Sequence, residues 1–178
     1  TRERSVVYAT TEPSEALLLG GHTATMNEGR ITQVGPTGEV YRHPIDLCTA
    51  SVFSDPPMNT ISVTKHGKQF SLTDGTRWDA QDAYLALADG PYEFGVRPHH
   101  VHPADDGSDG ALVEGTVLVS EISGSESTVH FDLNGRPWVS LAHGVHTFRV
   151  GQTARFQIDV DHSMLFSKQG DLVAALGY

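Results

Sequence analysis

Leu112-Val113-Glu114-Gly115-Thr116-Val117-Leu118-Val119-Ser120-Glu121-Ile122 is followed, across Ser123-Gly124-Ser125-Glu126, by Ser127-Thr128-Val129-His130-Phe131-Asp132-Leu133. Asn134-Gly135-Arg136-Pro137 then leads into Trp138-Val139-Ser140-Leu141-Ala142. The runs are rich in β-branched and aromatic residues, and Gly and Asn punctuate them, so they read as strands joined by turns. Outward from this stretch, residues 60–65, 68–72, 92–96 and 153–158 read the same way, and Met164-Leu165-Phe166 reads as a last strand. One helix-like stretch, 80–87, interrupts them. Many short strands with regular turns indicate a small β-barrel or sandwich.

The texture changes at Asp55-Pro56-Pro57, where two prolines favour extended backbone and mark a boundary between 1–54 and 55–178. Upstream, Ser5-Val6-Val7-Tyr8-Ala9-Thr10 is an apolar, non-alternating run that reads as a buried strand of a parallel sheet. Thr11-Glu12-Pro13-Ser14-Glu15 reads as a helix start, with a hydroxyl cap, a proline in the first turn and carboxylates at the positive end. Ala16-Leu17-Leu18-Leu19 continues that helix and Gly20-Gly21 stops it. Residues 22–26 and 30–34 read as a hairpin turning at Asn27-Glu28-Gly29. Short helices are expected at 36–41 and 46–53.

The 178 residues carry 12 Lys and Arg against 22 Asp and Glu, a formal charge of −10. A phosphate backbone attracts basic surfaces, so this balance argues against a nucleic-acid partner. Cys48 is the single cysteine, which excludes an intrachain disulfide and a Cys-based zinc site. No apolar run approaches the roughly 18 residues of a membrane-spanning helix. The N-terminus lacks a signal-peptide apolar region, and a cytosolic protein is the simplest reading. The chain opens at Thr1 without Met and in mid-pattern, and is read as a piece of a longer protein.

Val6-Val7-Tyr8-Ala9-Thr10-Thr11-Glu12-Pro13-Ser14-Glu15-Ala16-Leu17 resembles the end of an ABC-transporter ATPase core, where a strand ends at Thr-His-Asp and a helix begins with Glu-Ala. Asn27-Glu28-Gly29-Arg30-Ile31-Thr32-Gln33-Val34-Gly35 resembles that family's hairpin, and Glu39-Val40-Tyr41-Arg42-His43-Pro44 its next helix. Pro57-Met58-Asn59 is similar to the entry into the regulatory domain of carbohydrate-importer ATPases. Phe94-Gly95-Val96-Arg97-Pro98-His99-His100-Val101, Gly124-Ser125-Glu126-Ser127-Thr128-Val129-His130 and Met164-Leu165-Phe166 resemble later family motifs, in the family's order. The resemblance implies a mainly β fold: an OB-like (TOBE) regulatory and dimerisation barrel at 55–178, after a small α/β remnant of the nucleotide-binding core at 1–54. It implies an ATP-binding subunit of an importer for sugars or sugar alcohols, with the glycerol and polyol branch the most similar. ATP and Mg²⁺ would serve the full-length protein and not this piece. The implied partners are a second ATPase subunit, identical or different, and transmembrane permease subunits, at the cytoplasmic face of the membrane. The resemblance places Thr11 where the family has its switch histidine, so Thr11 marks a degenerate catalytic position.

ATP hydrolysis needs a loop G-x-x-x-x-G-K-[ST], whose amides and lysine neutralise phosphate. Gly67-Lys68 is followed by Gln69 and has Ser62 at the first glycine position, so the loop is absent. Leu19-Gly20-Gly21-His22 only superficially resembles a signature loop and reads as a helix stop. Gly124-Ser125-Glu126, a turn between two long strands, is the candidate regulatory or ligand site, set against a tight turn that needs glycine. His99-His100-Val101-His102 with Asp105 and Asp106 has metal-binding residue types. Strand alternation would put His100 and His102 on one face and His99 on the other, so no metal site is assigned. Ser125 with His130 lacks a nucleophile-elbow context. Trp78 and Trp138 read as core packing, and Cys48 as a buried small residue. The rival readings are a free-standing OB-like barrel that binds a small ligand or anion, and a single-strand nucleic-acid module, which the acidic charge disfavours.

Overall fold

Period-two burial runs through the strands of a computed structural model, which describes residues 5–105 and 110–177. In β9 (Glu126–Leu133), Ser127, Val129, Phe131 and Leu133 point inward while the residues between them are half-exposed. That alternation lets one face of a strand meet a core and the other meet water.

The N-terminal segment departs from the sequence expectation. Residues 5–10 form no strand, and Val6 and Val7 are 86% and 95% exposed. An apolar, β-branched run becomes a strand only where a neighbour takes its backbone groups, and no described residue pairs with it. Helix α1 (Pro13–Leu19) follows, with Glu12 at its N-cap and no side-chain cap bond. The expected hydroxyl cap is displaced: the Thr10 hydroxyl bonds the Glu15 carboxylate and accepts from the Glu12 amide at 2.9 Å. Gly20 ends the helix at φ 64°, its N–H donating to the Ala16 carbonyl. Strands β1 (His22–Asn27) and β2 (Arg30–Pro36) form the expected hairpin, with Glu28 and Gly29 both at positive φ. Helices α2 (Thr37–Arg42) and α3 (Leu47–Val52) come next, and Asp46 caps α3 by accepting from the Thr49 amide at 2.7 Å.

The remaining strands are β3 (Asn59–His66), β4 (Gln69–Ser71), β5 (Arg77–Asp79), β6 (Gly90–Val96), β7 (Val101–Pro103), β8 (Ala111–Ile122), β9, β10 (Arg136–His143), β11 (Thr153–Ile158), β12 (Ser163–Phe166) and β13 (Leu172–Ala175). They build two antiparallel sheets, ordered β10-β9-β8-β11-β7 and β13-β12-β6-β3-β4-β5. The helix-like stretch near residue 80 is a single 3-10 turn, Asp82–Ala86. The core lies between the sheets. Phe70, Trp78 and Phe94 come from one side, and Phe131, Trp138 and Phe156 from the other. Both tryptophans are core residues, as the sequence suggests.

Asn59 closes a seam between the sheets, its amide donating to the Val139 carbonyl and accepting from the Val139 amide, both at 2.7 Å. The seam between helices and barrel is also built. Ala50 of α3 packs with Met58, Met164 and Phe166. The buried Arg97 guanidinium lies 3.9 Å over the Tyr41 ring and donates to the Tyr41 carbonyl at 2.9 Å. Among the described residues no helix is long and apolar enough to cross a membrane.

Candidate functional site

Thr11 sits in an exposed bend just before α1. Its neighbours, not Thr11 itself, make the local contacts: Tyr8 and Thr10 both bond the Glu15 carboxylate. The pairing of Tyr8 with a carboxylate holds its phenol above the ordinary tyrosine range, through the Glu15 charge and then the hydrogen bond.

The Gly124-Ser125-Glu126 turn joins β8 to β9 at the surface. Gly124 adopts φ 72°, where a side chain would be strained. The Ser123 amide donates to the Glu126 carbonyl at 2.9 Å, and the Ser125 carbonyl accepts from the Gly144 amide at 2.7 Å. The Glu126 carboxylate lies 3.6 Å from the His143 ring. The turn is thus tied within itself and to the neighbouring 143–144 segment. Ser125 occupies the exposed turn and His130 a half-buried strand position, without an elbow geometry.

The histidine run is arranged otherwise than strand alternation implies. Residues Pro98–His100 form a 3-10 turn, which brings the His99 and His100 rings to 4.3 Å instead of opposite faces. His102 follows in β7, exposed and paired with Gln157. His100 turns toward residues far along the chain. Its ring stacks on His162 at 4.5 Å with planes 2° apart, and its Nδ1 lies 3.5 Å from Oδ2 of Asp159. His162 Nδ1 lies 2.7 Å from the same oxygen. Burial pushes the His100 imidazole down to about 4, the neighbouring imidazoles His99 and His162 act in the same direction, and Asp159 opposes them. Burial, and then the Arg97 charge, also lowers His99. Asp105 is exposed, and Asp106 lies outside the described residues, as do residues 1–4 and most of the polar loop 105–110.

Asp159 and His162 escape sequence reasoning because they stand some sixty residues from His100. Asp159-Val160-Asp161-His162 carries suitable residue types, but nothing in a linear reading connects it to His100. Cys48 is half-buried in α3, and burial pushes its thiol up, away from reactive thiolate.

The one Gly-Lys pair is poorly disposed toward phosphate. Gly67 turns the β3–β4 hairpin, and its amide donates to the Asp89 carboxylate at 2.8 Å. The nearby Lys65 ammonium also faces Asp89, at 3.5 Å. The Gly67 amide and the Lys65 ammonium thus both face the Asp89 carboxylate.

Comparison with known proteins shows what this chain is similar to. Residues 94–166 match the TOBE domain model. The chain is 30% identical over 174 residues to the sn-glycerol-3-phosphate import ATP-binding protein of Chromohalobacter salexigens, covering 96% of this chain and 46% of that protein. It is 29% identical over 174 residues to the maltose/maltodextrin import ATP-binding protein of Vibrio cholerae, covering 93% of this chain and 46% of that one. The chain therefore spans about half the length of the curated relatives it matches. Among solved structures, the cytoplasmic molybdate-binding protein ModG, with molybdate bound, is similar at TM-score 0.45 and 18% identity, over 67% of this chain and 96% of that one.

Proposed function

We propose that this chain, which carries a TOBE domain and matches the C-terminal part of ABC transporter ATP-binding subunits of sugar importers over most of its length, is the regulatory and dimerisation portion of such a subunit. The observation that carries the reading is continuity: similarity to these subunits covers 96% of the chain, spanning both the barrel and the hairpin and helices fastened to it. The transported solute is a carbohydrate or a sugar alcohol, glycerol derivatives included. The subunit binds ATP and Mg²⁺ through segments other than these 178 residues. It pairs with a second ATPase subunit and docks on transmembrane permease subunits at the cytoplasmic face of the membrane. The Gly124-Ser125-Glu126 turn serves as a regulatory contact, supported by its exposure beside apolar Ile122 and Val145.

The test has two arms. The complete subunit, co-expressed with its permease, is expected to co-purify with it and to drive ATP-dependent uptake of labelled maltose or glycerol 3-phosphate. The 178-residue chain, titrated with Mg-ATP by calorimetry, is expected to give no saturable heat, and micromolar saturation overturns the division of labour. Thr11 belongs to the same reading. A threonine hydroxyl is shorter than imidazole and does not become cationic near neutral pH. Loss of a transition-state hydrogen bond costs roughly 10²–10³ in rate, so in the assembled transporter Thr11→His is expected to raise ATP hydrolysis at this site by about that factor. An unchanged rate, equal to the partner subunit's, removes Thr11 as a degenerate switch.

A further inference from the structure

The chain passes between the two sheets twice on one side of the barrel. β6 leads through the 98–100 turn into β7, and β11 leads through the turn Val160–His162 into β12. The two crossings are held together by a backbone bond, the Asp159 amide donating to the His100 carbonyl at 2.9 Å. At this junction His100, Asp159 and His162 each offer one ligand atom, and these atoms all lie within 4.8 Å of one another.

We propose that His100, Asp159 and His162 form a zinc site that staples the two crossings. The donor set is two imidazoles and one carboxylate, the borderline combination that suits zinc. Two ligands on a tetrahedral zinc, with bonds of about 2.0–2.1 Å, stand roughly 3.4 Å apart. The His100 Nδ1 to Asp159 Oδ2 distance of 3.5 Å already has that value. The second imidazole is closer, at 2.7 Å, as a hydrogen bond requires when a proton and not an ion lies between the atoms. The other Asp159 oxygen is oriented separately, accepting from the Asp161 amide at 3.2 Å, which holds the carboxylate in place.

The cluster is also suitably half-open. The side chains of His100, Asp159 and His162 are 17%, 33% and 41% exposed, so an ion can enter and keep a water as fourth ligand. The rings cannot both bind as they stand. Lone pairs lie in the ring planes, and parallel rings aim past each other. The more exposed His162 ring must turn about its Cβ–Cγ bond, giving up its stack on His100 and its bond to Asp159. That loss places the affinity in the micromolar range, below that of closed four-ligand sites.

The test titrates zinc chloride into the chelator-treated 178-residue chain by calorimetry, with cobalt(II) absorption as a second readout and thermal melts alongside. Wild type is expected to bind one zinc with micromolar affinity, to give the strong visible bands of four-coordinate cobalt, and to melt at a higher temperature with zinc. His162→Gln and Asp159→Asn are each expected to weaken binding about 30-fold or more, since even outer-shell changes cost about 10–100-fold. His102→Gln and His146→Gln are expected to bind within about threefold of wild type, a difference small against one ligand. His162 is partly exposed, so His162→Gln tests the site even where His100→Gln fails to fold. No saturable binding by folded wild type overturns the proposal. So does undiminished binding by His162→Gln, or an equal loss in His102→Gln, which would reveal only scattered surface histidines.

Discussion

Gly115 shows how tightly one residue can be specified. It lies in β8, and a Cβ there would stand 2.4 Å from Cδ2 of Phe131 and 2.7 Å from the Asp132 carbonyl oxygen. Neither neighbour can yield. The carbonyl belongs to the β9 ladder, and the fully buried Phe131 ring stacks on Phe156 at 3.9 Å. Gly115→Ala is therefore expected to destabilise the fold by about 3 kcal/mol, the upper part of the usual overpacking range. Urea denaturation checks this: the midpoint should fall with the slope unchanged, and a midpoint equal to wild type removes the steric argument. Sequence reading noted glycine as punctuation in turns. At Gly115 it serves close approach within a strand, which only the facing aromatic ring explains.

At the scale of elements, the β3–β4 hairpin is tied to the segment before β6 by Asp89. Its carboxylate accepts from the Gly67 amide at 2.8 Å and lies 3.1 Å from the His66 ring and 3.5 Å from the Lys65 ammonium. The Gly67 bond, first among these, holds Asp89 below the ordinary aspartate value; desolvation opposes it. The sign follows from linkage. With the folded-state value below the unfolded one, the contribution is fully present above the ordinary aspartate value of about 3.9 and is lost as pH falls through the lower folded value. Carbon-detected NMR titration should place the Asp89 midpoint below that of an aspartate peptide, and Asp89→Asn should flatten the stability profile in this window. A midpoint at or above the peptide value contradicts the hairpin tie. The strands themselves were legible, and β8 to β10 appear within a few residues of their expected bounds. β5, β7 and β13 were not, because three- or four-residue strands owe their state to a neighbour rather than to their own pattern.

Over the whole molecule, apolar surface gathers at one end of the long strands. Leu118, Val119 and Ile122 on β8 are 44%, 43% and 48% exposed, and Val145 and Val150 in the loop between β10 and β11 are 65% and 72% exposed. Burial of such surface favours association, and the proposed regulatory role calls for a paired subunit. Light scattering in line with size exclusion is expected to show a dimer at tens of micromolar, which corresponds to a dimerisation free energy of about 6–7 kcal/mol. Ile122→Asp with Val145→Asp should shift it to monomer without lowering the melting temperature of the monomer fold. A wild type that stays monomeric at that concentration counts against dimerisation through the barrel.

By itself the sequence determined the mainly β barrel, the 27–29 hairpin turn, the helix stop at Gly20 and the aromatic core. These rest on short-range rules: alternation, turn chemistry and the cost of leaving large apolar rings in water. It also carried the resemblance of its motifs, in order, to importer ATPases. Tertiary structure decided what needs partners distant in the chain. The 5–10 run is apolar enough for a strand, yet it stays unpaired because no ladder takes its backbone groups. His100 was expected beside His102, and instead meets Asp159 and His162, because two crossings between sheets happen to lie side by side. Arg97 reads as one residue of a strand-end motif, and the fold makes it the buried clasp on Tyr41. Local patterns fix which residues face inward; only closure of the barrel fixes which inward groups meet.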